Sequence, residues 1–336
     1  MEKFHNKYEL DALEIEQVKT LYSSSVNPSI FQNFEFNQIN SEKKHYFFST
    51  NNNLITSYLI VIESNLSRLK SIRNAKIIFE PIATNESIKE KLIEHIINYY
   101  ITTNFADINF IPLSSKLVLK KFKEFQIQFQ NRQTGTILID LNNKIEEIIS
   151  NFSKNLKKNI NKGKNKGIIT RLIDSQIEIS TLIDIHIKMS SYKNLNHYNK
   201  AQIKCILDFI TQKKYGFIMG CFFDNILIGG IVCINQGNRT EYFIGISHPE
   251  FRKLPINHLG IYESILHAKN CDQNVFDMGG IVLNAKENDQ LYSIGEFKKD
   301  FSKKIVEFNP EISIITNEFR HLLKNCYLYL TKLLNK

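Results

Sequence analysis

Residues 295–304, GEFKKDFSKK, set Phe297 and Phe301 four apart among Lys298, Lys299, Lys303, Lys304 and two acids. At helical spacing the two rings share a face. The residues alone allow two readings: a solvated basic surface carrying two buried rings, or one lysine held on an aromatic platform facing chemistry. A cation fixed in a dry site stabilises negative charge that develops beside it. Asp277, in NVFDMGG, is an acid–base candidate or the cap of the turn before Gly279 and Gly280. Tyr242, in TEYFIGIS, faces the same cleft or fills a core. In HPEFRKLPINHLG, His258 is a base or a capping group, and Asn257 lies beside it as a further substrate-contact candidate. Arg252, Lys157 and Lys158 are candidates for contact with phosphate groups, which basic groups neutralise.

The elements that must position these residues occur twice. HYFFSTNNNLITSYLIVIES (45–64) and FIMGCFFDNILIGGIVCINQ (217–236) each read as an apolar strand, a turn and a near-continuous β-branched run. In the first half a strand (KIIFEPI), a helix (SIKEKLIEHIINYY, with Ser87 and Glu90 as a capping box) and a strand (FADINFI) follow. In the second half the same order is TEYFIGIS, a helix opened by Pro255, and NVFDMGG. The expected architecture is therefore α/β, two similar domains on mixed sheets, at 1–165 and 166–310.

Between them, residues 143–168 predict an amphipathic helix. Phe152, Leu156 and Ile160 lie on one face, Lys154, Lys158 and Lys162 on the opposite one, and Gly163 and Gly167 end it. It reads as a solvated lysine face or a phosphate-contacting surface near the domain junction. The last helix, within 311–336, carries a stripe of Phe319, Leu322, Leu323, Cys326, Leu330 and Leu333, which predicts that this stripe packs on a domain.

The chain of 336 residues carries a net charge of +9, which favours polyanionic partners if the lysines cluster. Its five cysteines are odd in number and lack C-x-x-C spacing, which predicts buried free thiols in a reducing compartment. The polar, acidic start is unlike a signal peptide, and Asp224–Asn225 interrupts the longest apolar run, so a cytoplasmic, soluble protein with no integral membrane segment is expected.

TGTILIDLNNKIEEIISNFSKNLKKNINKGKNKGIITRLI, followed by YKNLNHYNKAQIKCILDFI, CFFDNILIGGIVCI, LPINHLGIYESILHAKNCDQNVFDMGG and IGEFKKDFSKK, resembles the FemABX-like acyltransferases over residues 29–308. The resemblance implies two tandem GNAT-like domains, with the C-terminal helix packing back on the first. It implies transfer of an aminoacyl group from charged tRNA to an amine of a peptidoglycan precursor. The donor would lie in the second domain and the diphosphate-bearing acceptor between domains, with possible contact with the inner membrane face and neither a metal nor a redox cofactor. It implies that Lys298 stabilises the oxyanion of the tetrahedral intermediate, that Phe297 limits water, that Asp277 orients the attacking amine or accepts its proton, and that Arg252, Lys157 and Lys158 contact phosphate or tRNA. Departures are Phe34 and Phe36 where the family often has tryptophan, no coiled-coil arm, and no [RQ]-x-x-G-x-[GA] acetyl-CoA pattern. Two alternatives stand beside this reading. One is an acyl-CoA-dependent N-acyltransferase acting on an amino sugar or lipid precursor of a surface polymer. The other is a non-catalytic tRNA or nucleic-acid binding protein with a decayed GNAT fold.

Overall fold

The computed structural model describes residues 2–25, 28–39, 42–66, 71–103, 105–111, 127–129, 132–193 and 198–334. Residues 194–197 of the family-like motif and the side chain of Leu333 lie outside the described set. The chain divides into two compact units, 1–133 with 308–336, and 134–307.

The first unit comprises β1 (Lys3–Lys7), α1 (Ala12–Ser23), α2 (Phe34–Asn37), β2 (Lys43–Asn51), β3 (Leu54–Asn65), β4 (Arg73–Ile78), β5 (Ile82–Ala83), α3 (Glu86–Thr102), β6 (Asp107–Ile111) and β7 (Ile127–Phe129). The second comprises β8 (Thr134–Asp140), α4 (Ile145–Ser150), α5 (Lys154–Asn165), β9 (Ile169–Leu172), α6 (Gln176–Tyr192), α7 (Lys200–Gln212), β10 (Gly216–Phe223), β11 (Ile226–Gln236), β12 (Arg239–Ser247), α8 (Ile256–Asn270), β13 (Val275–Val282), α9 (Gln290–Lys299) and β14 (Ile305–Glu307). The chain then returns to the first unit as β15 (Ile312–Ile315) and α10 (Glu318–Leu334).

The first sheet runs β1-β2-β3-β4-β6-β15-β7 with β5 on β3, and the second β14-β8-β13-β12-β11-β10-β9. Both contain the repeat expected from the sequence: a hairpin (β2–β3, β10–β11), an antiparallel third strand, a crossover helix and a parallel fourth strand. Both hairpin turns place two consecutive residues at positive φ, Asn52 (50°) with Asn53 (63°) and Asp224 (49°) with Asn225 (62°). Asn and Asp tolerate that conformation, which matches the twist of the flanking strands. The helices α3 and α8 bury their apolar stripes against these sheets: Leu92, Ile96 and Tyr100 in one unit, Leu259, Ile261 and Ile265 in the other.

Several local expectations are corrected. The cap of α3 is Asn85, whose side chain accepts from Ile88 N at 3.0 Å, so the boundary falls two residues before Ser87. The basic segment is two helices. Ser153 starts the second by accepting from Leu156 N at 3.0 Å, and this frees Phe152 to turn into the core. Gly163 lies inside α5, where an added Cβ would come within 3.2 Å of Leu259; it allows close packing on α8. Gly167, at φ 82°, follows the helix end. Residues 134–165 lie in the second unit rather than the first, because β8 pairs with β13 and Leu156 and Ile160 join that core. Of the cysteines, Cys221 and Cys233 are buried, whereas Cys205, Cys271 and Cys326 are exposed.

The largest correction concerns α10. Phe319, Leu322, Leu323, Cys326 and Leu330 are exposed, and the helix docks on the first unit through its other face. Arg320 donates to the Ser71 carbonyl, while His321 Nδ1 (2.8 Å) and Lys324 Nζ meet the buried carboxylate of Asp107. A carboxylate buried at the start of β6 needs such partners, and removing one leaves an uncompensated charge. The polar stripe is therefore the one that docks. Among the described residues no helix is long and apolar enough to cross a membrane.

A second buried carboxylate stands in the same unit. Glu63 accepts from Tyr100 Oη at 3.0 Å and meets His45 Nδ1 at 3.0 Å and Lys43 Nζ at 3.1 Å. Burial alone would raise its pKa, but the bonds from His45, Lys43 and Tyr100 outweigh it and hold the carboxyl down at about 2.

Candidate active site

The parallel strands β12 and β13 pair over only three residues, Arg239–Glu241 against Val275–Asp277, and then part. At that point β13 also slips its register against β8, between Asp277 and Gly280. Gly279 sits in the slip at φ 74°. A Cβ there would lie 3.1 Å from the Tyr242 carbonyl oxygen and 3.3 Å from Lys298 Nζ, so both the backbone angle and the close approach require glycine. In the first unit β4 and β6 stay paired from Asn74–Asp107 to Ile78–Ile111, so no equivalent gap opens there.

Lys298 enters this gap from the last turn of α9, where the helix dipole favours a cation. Its Nζ donates to Gly280 O at 3.0 Å and lies 5.6 Å from the centre of the Tyr242 ring. The side chain is 8% exposed. Burial lowers its pKa to about 8, against the opposing pull of Asp277 and Glu241. A Cβ on Gly280 would meet nothing within 4 Å, so open space adjoins this contact.

Phe297 and Phe301 point inward as an aromatic support. Phe297 meets Phe301 (5.6 Å between ring centres) and the edge of His258 (5.1 Å), and Phe301 in turn meets Phe152 (5.7 Å). Ser302 fixes the end of this segment by donating to Leu138 O on β8 at 2.7 Å. Lys303 and Lys304 are exposed, so the segment combines a solvated basic edge with one buried lysine.

Asp277 caps the turn. Its Oδ1 accepts from Gly279 N at 2.8 Å and from the Thr136 hydroxyl, and Oδ2 faces Arg239 Nη1 at 3.5 Å. Arg239 Nη2 donates to Gln236 Oε1 (2.9 Å), and Gln236 Nε2 donates to Glu241 Oε2 (2.9 Å). The polar chain thus runs Asp277, Arg239, Gln236, Glu241. Glu241 Oε1 lies 3.9 Å from the same Gly279 point that Lys298 Nζ approaches to 3.3 Å. Burial, then the Asp277 charge, raises the Glu241 pKa to about 7. Sequence reasoning missed Glu241, Arg239, Gln236 and Thr136. A signal was present: Arg239 and Glu241 alternate on a strand whose neighbours are apolar, a pattern that puts two charges on one face.

The other expected site residues are placed as follows. Tyr242 packs against the second core, and Gly245 leaves room for its hydroxyl, which an added Cβ would approach to 2.4 Å. Asn257 Oδ1, in the first turn of α8, is buried without a hydrogen-bond partner. His258 is half-buried on Phe297, and burial lowers its pKa. Arg252 spends its guanidinium on the Tyr192 hydroxyl and ring instead of the Lys298 cluster. Lys157 donates to Ser150 O at 3.0 Å, and Lys158 lines a shallow groove on α5 with Asn161, Lys162, Asn165 and Lys166. Neither reaches the cluster. Among the described residues no group of three or more His, Cys, Asp or Glu side chains could hold a metal ion.

No protein-family model and no curated protein matches the sequence. The fold, however, has clear counterparts among solved structures. FemX superposes with a TM-score of 0.75 at 11% identity, over 95% of this chain and 99% of that one. The C-terminal domain of a putative lysylphosphatidylglycerol synthetase from Agrobacterium fabrum gives 0.62 at 12% identity, over 93% and 94%. A tandem GNAT protein from the clavulanic acid biosynthesis pathway gives 0.55 at 9% identity, over 94% and 99%. The chain has the tandem, GNAT-like fold of FemX-type proteins.

Proposed function

We propose that this protein is an acyltransferase that forms an amide on an amine acceptor. The observation that carries this reading is the pairing of a buried cation with a carboxylate of raised pKa at Gly279, where β12 and β13 part. In the reaction the acceptor nitrogen attacks the acyl carbonyl, a C–N bond forms, and the carbonyl electrons move to oxygen. Protonated Lys298 stabilises that oxyanion in a site largely closed to water. Glu241 takes the proton released by the attacking nitrogen and returns it to the leaving group as the C–O or C–S bond breaks. Asp277 acts through Gly279 and Arg239, as a positioning residue. Phe297 shields the lysine.

The finer reading is aminoacyl transfer from charged tRNA to a peptidoglycan precursor peptide. It is supported by the superposition on FemX along nearly the full chain and by the lysine face of α5, which suits a polyanion. A second reading, an N-acyltransferase using an acyl-CoA, is favoured by the tandem GNAT counterpart and the opened β12–β13 gap. Titration with charged tRNA, uncharged tRNA and acyl-CoA at two salt concentrations separates them. Salt-sensitive preference for charged tRNA is the expected result. Saturable binding of acyl-CoA alone selects the second reading, and binding of no donor removes both.

A further inference from the structure

The outward face of α10 has a regular geometry. Phe319, Leu323, Cys326 and Leu330 are spaced by four, three and four residues, which is the repeat of a helix seam built to receive another helix. In the sequence Leu333 continues it by three. Leu322 and Tyr329 flank the seam. Exposure is high: 69% for Phe319, 61% for Leu322, 65% for Tyr329 and 55% for Leu330. Helix propensity does not explain leaving such a face in water, since the inward contacts of α10 are polar.

We propose that this seam pairs with the same seam of a second copy of this chain, antiparallel about a two-fold axis at Cys326. Three observations select this occupant. The seam itself is uncharged, and its bulky residues lie at its ends with the small Cys326 at the centre, so an antiparallel pair sets large side chains beyond a close central approach. A helix lying on an anionic bilayer sets basic residues beside its apolar sector. Here Arg320 and Lys324 turn to the protein body, and the described flank holds Glu318, Leu322 and Tyr329. The exposed side chains leave on the order of 500 Å² per copy, so a pair would bury about 1,000 Å². That area lies at the low end of specific interfaces and implies a concentration-dependent dimer.

Sedimentation of the full chain tests the pairing, with the mass expected to rise from 39.2 kDa toward twice that value as concentration passes about 10 µM. Leu323→Glu combined with Leu330→Glu should hold the protein at the monomer mass and leave its melting temperature unchanged, because both side chains are exposed. In a Cys205→Ser, Cys271→Ser chain, copper-phenanthroline oxidation should link two copies through Cys326. A monomer at every concentration overturns the proposal. So does a dimer indifferent to the glutamates, or a dimer without the Cys326 link. Vesicles of phosphatidylglycerol and phosphatidylcholine supply the remaining arm. Binding by the monomer that the glutamates abolish would assign the face to a membrane instead.

Discussion

Lys298 and Gly279 fit one another: the ammonium nitrogen lies 3.3 Å from the place a Cβ at 279 would occupy. The lysine is buried because the glycine is there, and the glycine is required because β13 changes register at φ 74°.

Lys298→Met should lower kcat by at least about 10²–10³, the usual cost of losing one oxyanion stabiliser. The fold should persist, since methionine fills a similar apolar channel without a charge to bury. Single-turnover kinetics with a matched circular dichroism melt checks both halves. Retained turnover in a folded variant would remove the lysine from the mechanism.

Gly279→Ala adds roughly 1–2 kcal/mol of left-handed strain and a contact 3.1 Å from Tyr242 O. Relief of that contact moves the chain at the Lys298 site, so activity should fall by more than stability does. Parallel measurement of kcat/KM and of the unfolding midpoint compares the two; equal activity in the variant and the parent contradicts the fit described above.

The pH profile should be narrow. Glu241, raised to about 7, must lose its proton to accept one, so the rate rises with pH through that value. Lys298, lowered to about 8, must keep its proton, so the rate falls above it. kcat/KM should therefore peak between about 7 and 8. Glu241→Gln should depress the peak and flatten the acidic limb, and an unchanged acidic limb would assign it to another group.

Glu63 makes a separate prediction about stability. Its carboxyl is held at about 2 against an ordinary 4.5, so the ionised form stabilises the folded state. The difference corresponds to about 3 kcal/mol, fully present above pH 4.5 and lost as pH falls toward 2. Glu63→Gln should cost a similar amount at pH 7 and much less near pH 2. Urea unfolding at several pH values reads this directly; a loss that does not vary with pH would mean that packing, not ionisation, is what the variant removes.

The repeated order of elements was readable because β-branched runs, turn pairs and helical stripes are local signals. Both positive-φ hairpin turns and both crossover helices lie where those signals put them. The inward rings of residues 295–304 followed from their four-residue spacing, and the FemX-like fold was reached from ordered motifs at an identity of only 11%. What escaped local reading involved partners distant in sequence. Asp277 caps its turn through the nearby Gly279 N, but its other partners, Thr136 from β8, 141 residues away, and Arg239 from β12, could not be read locally. Glu241 became notable only when the gap at Gly279 placed it near Lys298.

By itself, then, the sequence determined the type and order of the elements and supplied the residue types that the proposed acyl transfer requires, because backbone preference and apolar period act over a few neighbours. Tertiary structure decided which lysine among many is buried and which face of the last helix turns inward. The stripe of α10 was plain in the sequence, yet the opposite face docks. Asp107, buried at the start of a distant strand, takes His321 and Lys324 as partners, and the cost of leaving a buried carboxylate unpaired exceeds that of leaving leucines in water.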